Sequence, residues 1–170
     1  MTTSSSAMNP VVNRFADFKL SDLNSVEKES VIALAIAVLR ARHRRGQPFV
    51  SPNATRTYLQ LQCEDYRSEV FGCLFLDSRH RIVEYAELFQ GTLDSATVHP
   101  RVVVQRALKA NAGAIVAFHN HPSGVAEPSQ ADRALTRRLV DALALVDIRL
   151  IDHFVIGESE SVSFAERGWL

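Results

Sequence analysis

His119 and His121 stand two residues apart just after the apolar run Ala114 to Phe118, and Ser129 and Asp132 follow them. In an extended chain a period of two sends both imidazoles to one side, with Asn120 pointing away. Two rings on one side can converge on a single ion. Pro122, Ser123 and Gly124 then force a turn, and Ser129 is a good N-cap for the helix that follows, with Asp132 in its first turn. Two nitrogens from a strand end and one carboxylate from a helix start make a three-ligand set. Three protein ligands and an open fourth position suit a catalytic zinc ion, which lowers the pKa of its water towards ~7. Taken singly, a His-x-His pair is ordinary surface chemistry, and a Ser with an Asp at a helix start is a cap. The conjunction, with seven residues between His121 and Ser129 and two between Ser129 and Asp132, is what points to a metal.

The elements that must position these groups can be read along the chain. Residues 1–20, with Thr2 to Ser6 and Pro10, read as a disordered N-terminal tail. Residues 21–65 read as a helical extension. Ser25, with Lys28 and Glu29 behind it, marks a helix start, and Val31, Ile32, Ala35, Val38 and Leu39 give its stripe. That helix ends in Arg40, Arg42, Arg44 and Arg45 before Gly46, a run that suits the negative end of a helix dipole and reads as a solvated face. Pro48 and Pro52 form a linker, and Ser51-Pro52-Asn53 opens a short helix through Gln62.

Residues 66–170 carry a β-rich pattern. Glu69 to Leu76 is too apolar for a surface strand and is expected to be central. The turn Asp77 to His80 joins it to a partner strand from Arg81 to Phe89. Pro100 begins a helix to about Asn111, with His99 as its entry residue. Ala114 to Phe118 is a second buried strand, a long helix runs from Ser129 to about Val146, and Ile148 to Ile156 is a last strand. Strands alternating with helices, one hairpin being antiparallel, predict an α/β sandwich with a mixed sheet. Asp152 and His153 face opposite sides of the last strand, where either one of them orients a ligand or the two form a polar pair with ordinary hydrogen bonds. Arg133, Arg137 and Arg138 read as a solvated face, and Cys73 as inert core.

The chain has 170 residues, 46% of them hydrophobic, enough for one domain with a sizeable core. Its 19 basic and 19 acidic residues cancel, which excludes a polybasic nucleic-acid arm and an acidic tail. Two cysteines, Cys63 and Cys73, are too few for a disulfide scaffold or a cysteine zinc cage. No apolar run is long enough to span a membrane, and the start has neither the basic nor the apolar region of a secretory signal. A soluble, cytoplasmic domain is expected.

The spacing His119-x-His121, Ser129, Asp132 matches the signature of the JAMM (JAB/MPN+) zinc metalloproteases. The wider chain resembles the bacterial RadC-like branch in Phe89-Gln90-Gly91-Thr92, His99-Pro100-Arg101, His119 to Gly124, Glu127-Pro128-Ser129, Asp152-His153 and Phe164 to Gly168. The resemblance runs from about Tyr66 to Leu170. It implies a three-layer JAB/MPN sandwich, a mixed sheet with flanking helices similar to cytidine deaminases. It also implies one zinc ion (Zn2+) bound by His119, His121 and Asp132, and Ser129 donating to the oxyanion. An upstream glutamate would be the general base, Glu87 being preferred and Glu84 second choice. The activity implied is a metallopeptidase or isopeptidase acting on a protein or peptide substrate.

Other classes fit less well. His119-Asn120-His121 spells HNH, yet HNH nucleases draw those residues from separate parts of a ββα-metal unit. A zinc deaminase would show His-x-Glu and Pro-Cys-x-x-Cys, and neither is present. A DNA-repair accessory or nucleic-acid-binding module without peptidase activity is the alternative that the RadC resemblance carries. Neutral charge, and no Gly-rich hairpin module before Tyr66, leave at most weak nucleic-acid contact. A scaffold that has lost catalysis is a third option, against which the intact ligand pattern argues.

Overall fold

Val70–Leu76 (β1) and Ala114–Asn120 (β3) are buried at all seven positions each, because both faces of these strands are covered. They pair antiparallel, with Phe71 opposite His119 and Leu76 opposite Ala114. Ile82–Gln90 (β2) pairs antiparallel on the outer side of β1, Arg149–Ile156 (β4) runs parallel to β3, and Ser161–Ser163 (β5) pairs antiparallel with β4. The sheet is therefore mixed, in the order β2-β1-β3-β4-β5. Sequence periodicity anticipated the four longer strands. It missed β5, whose three residues are too few to show a period.

Helices lie on both faces. Pro100–Lys109 (α3) and Gln130–Ala144 (α4) place Val103, Ala107, Leu135, Leu139 and Leu143 against Phe71, Cys73, Phe75, Ile115 and Ala117. Pro52–Cys63 (α2) places Tyr58, Leu59 and Cys63 against Leu74, Leu76, Val116, Phe118 and Phe154 on the other face. Three layers result, an α/β sandwich as expected. Gly72 is required by this packing, since a Cβ there would lie 2.4 Å from the Phe118 ring and 2.7 Å from the Ala86 carbonyl. Cys63 and Cys73 are free and buried, and burial pushes the Cys63 thiol up to about 12, so neither is reactive.

The computed structural model describes residues 19–44, 52–91 and 98–170. The tail up to Phe18, Arg45, Gly46 with Pro48, and Thr92 lie outside them, as do the side chains of Arg40, Arg42 and Arg44. The chain divides into two units, Met1–Leu34 and Ala35–Leu170. A 3-10 turn at Leu20–Asp22 precedes the helix Ser25–Arg44 (α1), which begins in the first unit and runs past its boundary at Leu34. The cap is one residue earlier than Ser25. Asn24 Oδ1 accepts from the Glu27 amide at 3.0 Å, and Glu27 Oε2 accepts from the Asn24 amide at 2.8 Å, a reciprocal capping box. Among the described residues no helix is long and apolar enough to cross a membrane.

Candidate metal centre

The ends of three elements meet at the C-terminal end of the central strand β3. β3 delivers His119, 2% exposed, at its C-terminal end. His121 lies just past the strand, but its amide still donates to the Ile156 carbonyl at 2.8 Å, so extended geometry persists and both rings share a side. The start of α4 brings Ser129 and Asp132. Because β1 is antiparallel to β3, its N-terminal end also arrives here, carrying Glu69.

The ring nitrogens His119 Nε2 and His121 Nε2 are 3.0 Å apart. Asp132 Oδ1 lies 3.3 Å from His119 Nε2, and Oδ2 lies 3.8 Å from His121 Nε2. One donor atom from each of Glu69, His119 and His121 falls within 4.8 Å of the others. A tetrahedral zinc ion with ligands at about 2.0–2.1 Å sets neighbouring donors about 3.3 Å apart, close to the spacing of His119, His121 and Asp132.

Hydrogen bonding assigns the tautomers. The Val125 carbonyl, 2.7 Å from His121 Nδ1, can only accept, so Nδ1 carries a proton and Nε2 is the nitrogen turned towards His119. For His119 the assignment runs through two more side chains. Thr136 Oγ1 donates to the Asp132 carbonyl at 2.6 Å, which leaves its lone pairs to accept from His153 Nδ1 at 2.7 Å. His153 Nε2 is then unprotonated and accepts from His119 Nδ1 at 3.0 Å. His119 therefore presents a bare Nε2. Burial pulls His119 down to about 4, helped by His121 and opposed by the Asp132 carboxylate. Burial first, then His119 and His121, holds His153 well below the usual histidine range. The bare Nε2 of His119, 3.0 Å from His121 Nε2 and beside a carboxylate, is arranged to share a cation. The donor set fits a divalent metal.

Asp132 divides its carboxylate between two tasks. Oδ2 accepts from the Ser129 amide at 2.7 Å and the Ser129 hydroxyl at 2.6 Å, while Ser129 Oγ accepts from the Asp132 amide at 3.1 Å. This is a capping box in which Ser129 gives its proton to Asp132. Oδ1 is left facing His119.

Neither glutamate expected from the sequence is brought to the histidines. Glu87 lies on the opposite face of the sheet, paired with Gly72 and hydrogen-bonded by the Tyr66 hydroxyl. The cause is a β-bulge. Phe89 pairs with Phe71, but the register shifts between Phe71 and Gly72, so Leu88 is an extra residue and Glu87 changes side. Glu84 is opposite Phe75, four residues along β1 from Phe71, or about 13 Å at strand rise. There Arg106 Nε donates to its Oε1 at 2.7 Å. Glu69 occupies the place instead, two residues before Phe71 and so on the same face as Phe71 and His119.

Asp152 and His153 separate as expected, with His153 on the histidine side. Asp152 accepts from the His153 amide at 2.7 Å, the Ser163 hydroxyl at 2.6 Å and the Ala165 amide at 3.1 Å. Burial nevertheless raises its carboxyl, outweighing these bonds. Phe164 stacks on His153 at 4.9 Å, Trp169 meets Phe164 edge-on at 5.2 Å, and Arg133 lies 3.7 Å over Trp169 rather than in solvent. Thr136 was not singled out by sequence; its only signal is its place one helical turn after Asp132. Thr136→Val removes the acceptor that orients His153, and metal affinity is expected to fall about 10–100-fold in chelator competition. Unchanged affinity would show that the relay orients nothing.

The family model for the RadC-like JAB domain matches residues 49–169. A UPF0758 protein of Vibrio parahaemolyticus is 54% identical over 151 residues, covering 89% of this chain and 67% of that protein. One of Aeromonas hydrophila is 56% identical over 142 residues, covering 84% and 63%. The chain thus spans about two thirds of the length of these relatives. A mixed sandwich that gathers two histidines and a helix-capping aspartate at the end of its central strand, matched over 49–169, makes this chain a member of the RadC-like JAB domain family.

Proposed function

We propose that the chain is a zinc-dependent hydrolase of peptide or isopeptide bonds, with His119, His121 and Asp132 as metal ligands and Glu69 as general base. The observation that carries this reading is the pair of Nε2 atoms 3.0 Å apart beside Asp132 Oδ1, with Glu69 at their side. When bound, zinc supplies Lewis acidity, acidifying water and polarising a carbonyl. Glu69 accepts the proton of the attacking water and delivers it to the departing amine. Ser129 turns its hydroxyl from Asp132 Oδ2 towards the oxygen on which charge develops.

The test is a library of linear and isopeptide-branched peptides in 18O-water, read by mass spectrometry. New C-termini carrying 18O are expected with zinc-loaded protein, absent after dipicolinate treatment and restored by zinc. Stoichiometric zinc without any cleavage would favour a binding module without peptidase activity.

A further inference from the structure

Asn120 separates the two histidines, and the alternation of β3 sends its side chain away from them. It is 5% exposed, and its side chain is engaged at both ends. Oδ1 accepts from the Val70 amide at 2.8 Å, and Nδ2 donates to the Ser68 carbonyl at 3.1 Å. Those two backbone groups flank Glu69.

The reason for this arrangement lies in the ladder. The register that pairs Phe71 with His119, carried on, sets Ser68 opposite Pro122. Proline has no N–H, so the Ser68 carbonyl has no main-chain donor there. Beyond Asn120 the main chain follows β4 instead, through the His121 amide to Ile156. Without a substitute, the side of that end facing β3 would be left with the buried Val70 amide unpaired, while the Glu69 carbonyl accepts from the Gly91 amide at 2.9 Å on the side of β2. The amide of asparagine presents one acceptor and one donor on a short stem and serves both groups at once.

We propose that Asn120 is a positioning residue: its amide replaces the last rungs between β1 and β3, and thereby aims the Glu69 carboxylate at His119 and His121. The inference rests on the metal-centre reading above. Aspartate in its place keeps the acceptor for Val70 but sets a carboxylate oxygen against the Ser68 carbonyl, and alanine removes both partners. The arrangement acts on Glu69 through its backbone, so its effect must vanish when Glu69 carries no charge.

A double-mutant cycle on the full chain tests this, with Zn2+ affinity read by competition with a chromophoric chelator. Asn120→Ala is expected to weaken Zn2+ binding about three- to tenfold in the native background, and less than twofold in a Glu69→Gln background. Asn120→Asp, which retains one of the two bonds, serves if the alanine variant fails to fold. It should fall between the two. Amide exchange at Val70 should accelerate at least tenfold in Asn120→Ala, which removes its acceptor, and stay near native in Asn120→Asp, which keeps it. Equal losses of affinity in both backgrounds would overturn the proposal, because Asn120 would then act on the histidines through β3. No loss in either background, or unchanged Val70 exchange in Asn120→Ala, would overturn it too. A native chain that takes up no Zn2+ sinks the metal-centre reading itself, and the proposal with it; this shows in the native sample alone.

Discussion

Glu69→Gln is expected to reduce hydrolysis by about 10²–10⁴-fold while the chain still takes up one equivalent of zinc. Glutamine keeps the shape and hydrogen-bonding reach of the side chain and loses only the capacity to take a proton. Removing a negative charge a few ångströms from the donor cluster weakens zinc by about tenfold, too little to empty a site measured at micromolar protein. Turnover and metal content therefore separate in this variant, as they should for a base that is not a ligand. Glu87→Gln is the matched control. Its carboxylate sits on the far face with Tyr66, so turnover should stay within about twofold of native even though a hydrogen-bond partner has changed. Loss of turnover in Glu87→Gln with activity retained in Glu69→Gln would reverse the assignment.

The second large effect is on the metal itself. After dialysis, native protein is expected to hold close to one zinc per chain, and His119→Ala and Asp132→Asn close to none. His119→Ala removes the ligand whose ring is held by His153 and Thr136. Asp132→Asn is the more instructive change, because the amide oxygen still accepts from Ser129 and keeps α4 capped while the anionic ligand is lost. Zinc should also raise the melting temperature of native protein, since a ligand at a hundred times its Kd adds about 2.7 kcal/mol, and should leave both variants unmoved. Zinc retained in both would end the ligand assignment.

Much of this site was legible in the sequence because its parts are local. The two histidines share a face by strand alternation, and Ser129 with Asp132 is a capping pattern readable within four residues. What stayed hidden depends on long-range pairing. Glu69 lies fifty residues before His119, and only the antiparallel register of β1 on β3 brings it to the site. The sequence offers a signal in retrospect, an acidic residue at the head of a wholly apolar strand, but that signal does not say which strand is its neighbour. Glu87 illustrates the opposite hazard. Alternation counted back from Phe89 puts it on the side of Phe71, and one extra residue, Leu88, reverses the result. Bulges of this kind leave no composition or period to detect. The Thr136–His153–His119 chain was likewise out of reach, being drawn from a helix and two strands that meet only in the fold.

The divided carboxylate of Asp132 has a kinetic consequence. Folding of α4 already selects its rotamer through Oδ2, so the entropy of freezing that side chain is spent before any ion arrives. The same holds for both imidazoles, each fixed by its Nδ1 partner. A metal ion held as proposed above would meet ligands already oriented, so its uptake would be governed by how fast it sheds its own water rather than by the ordering of these side chains.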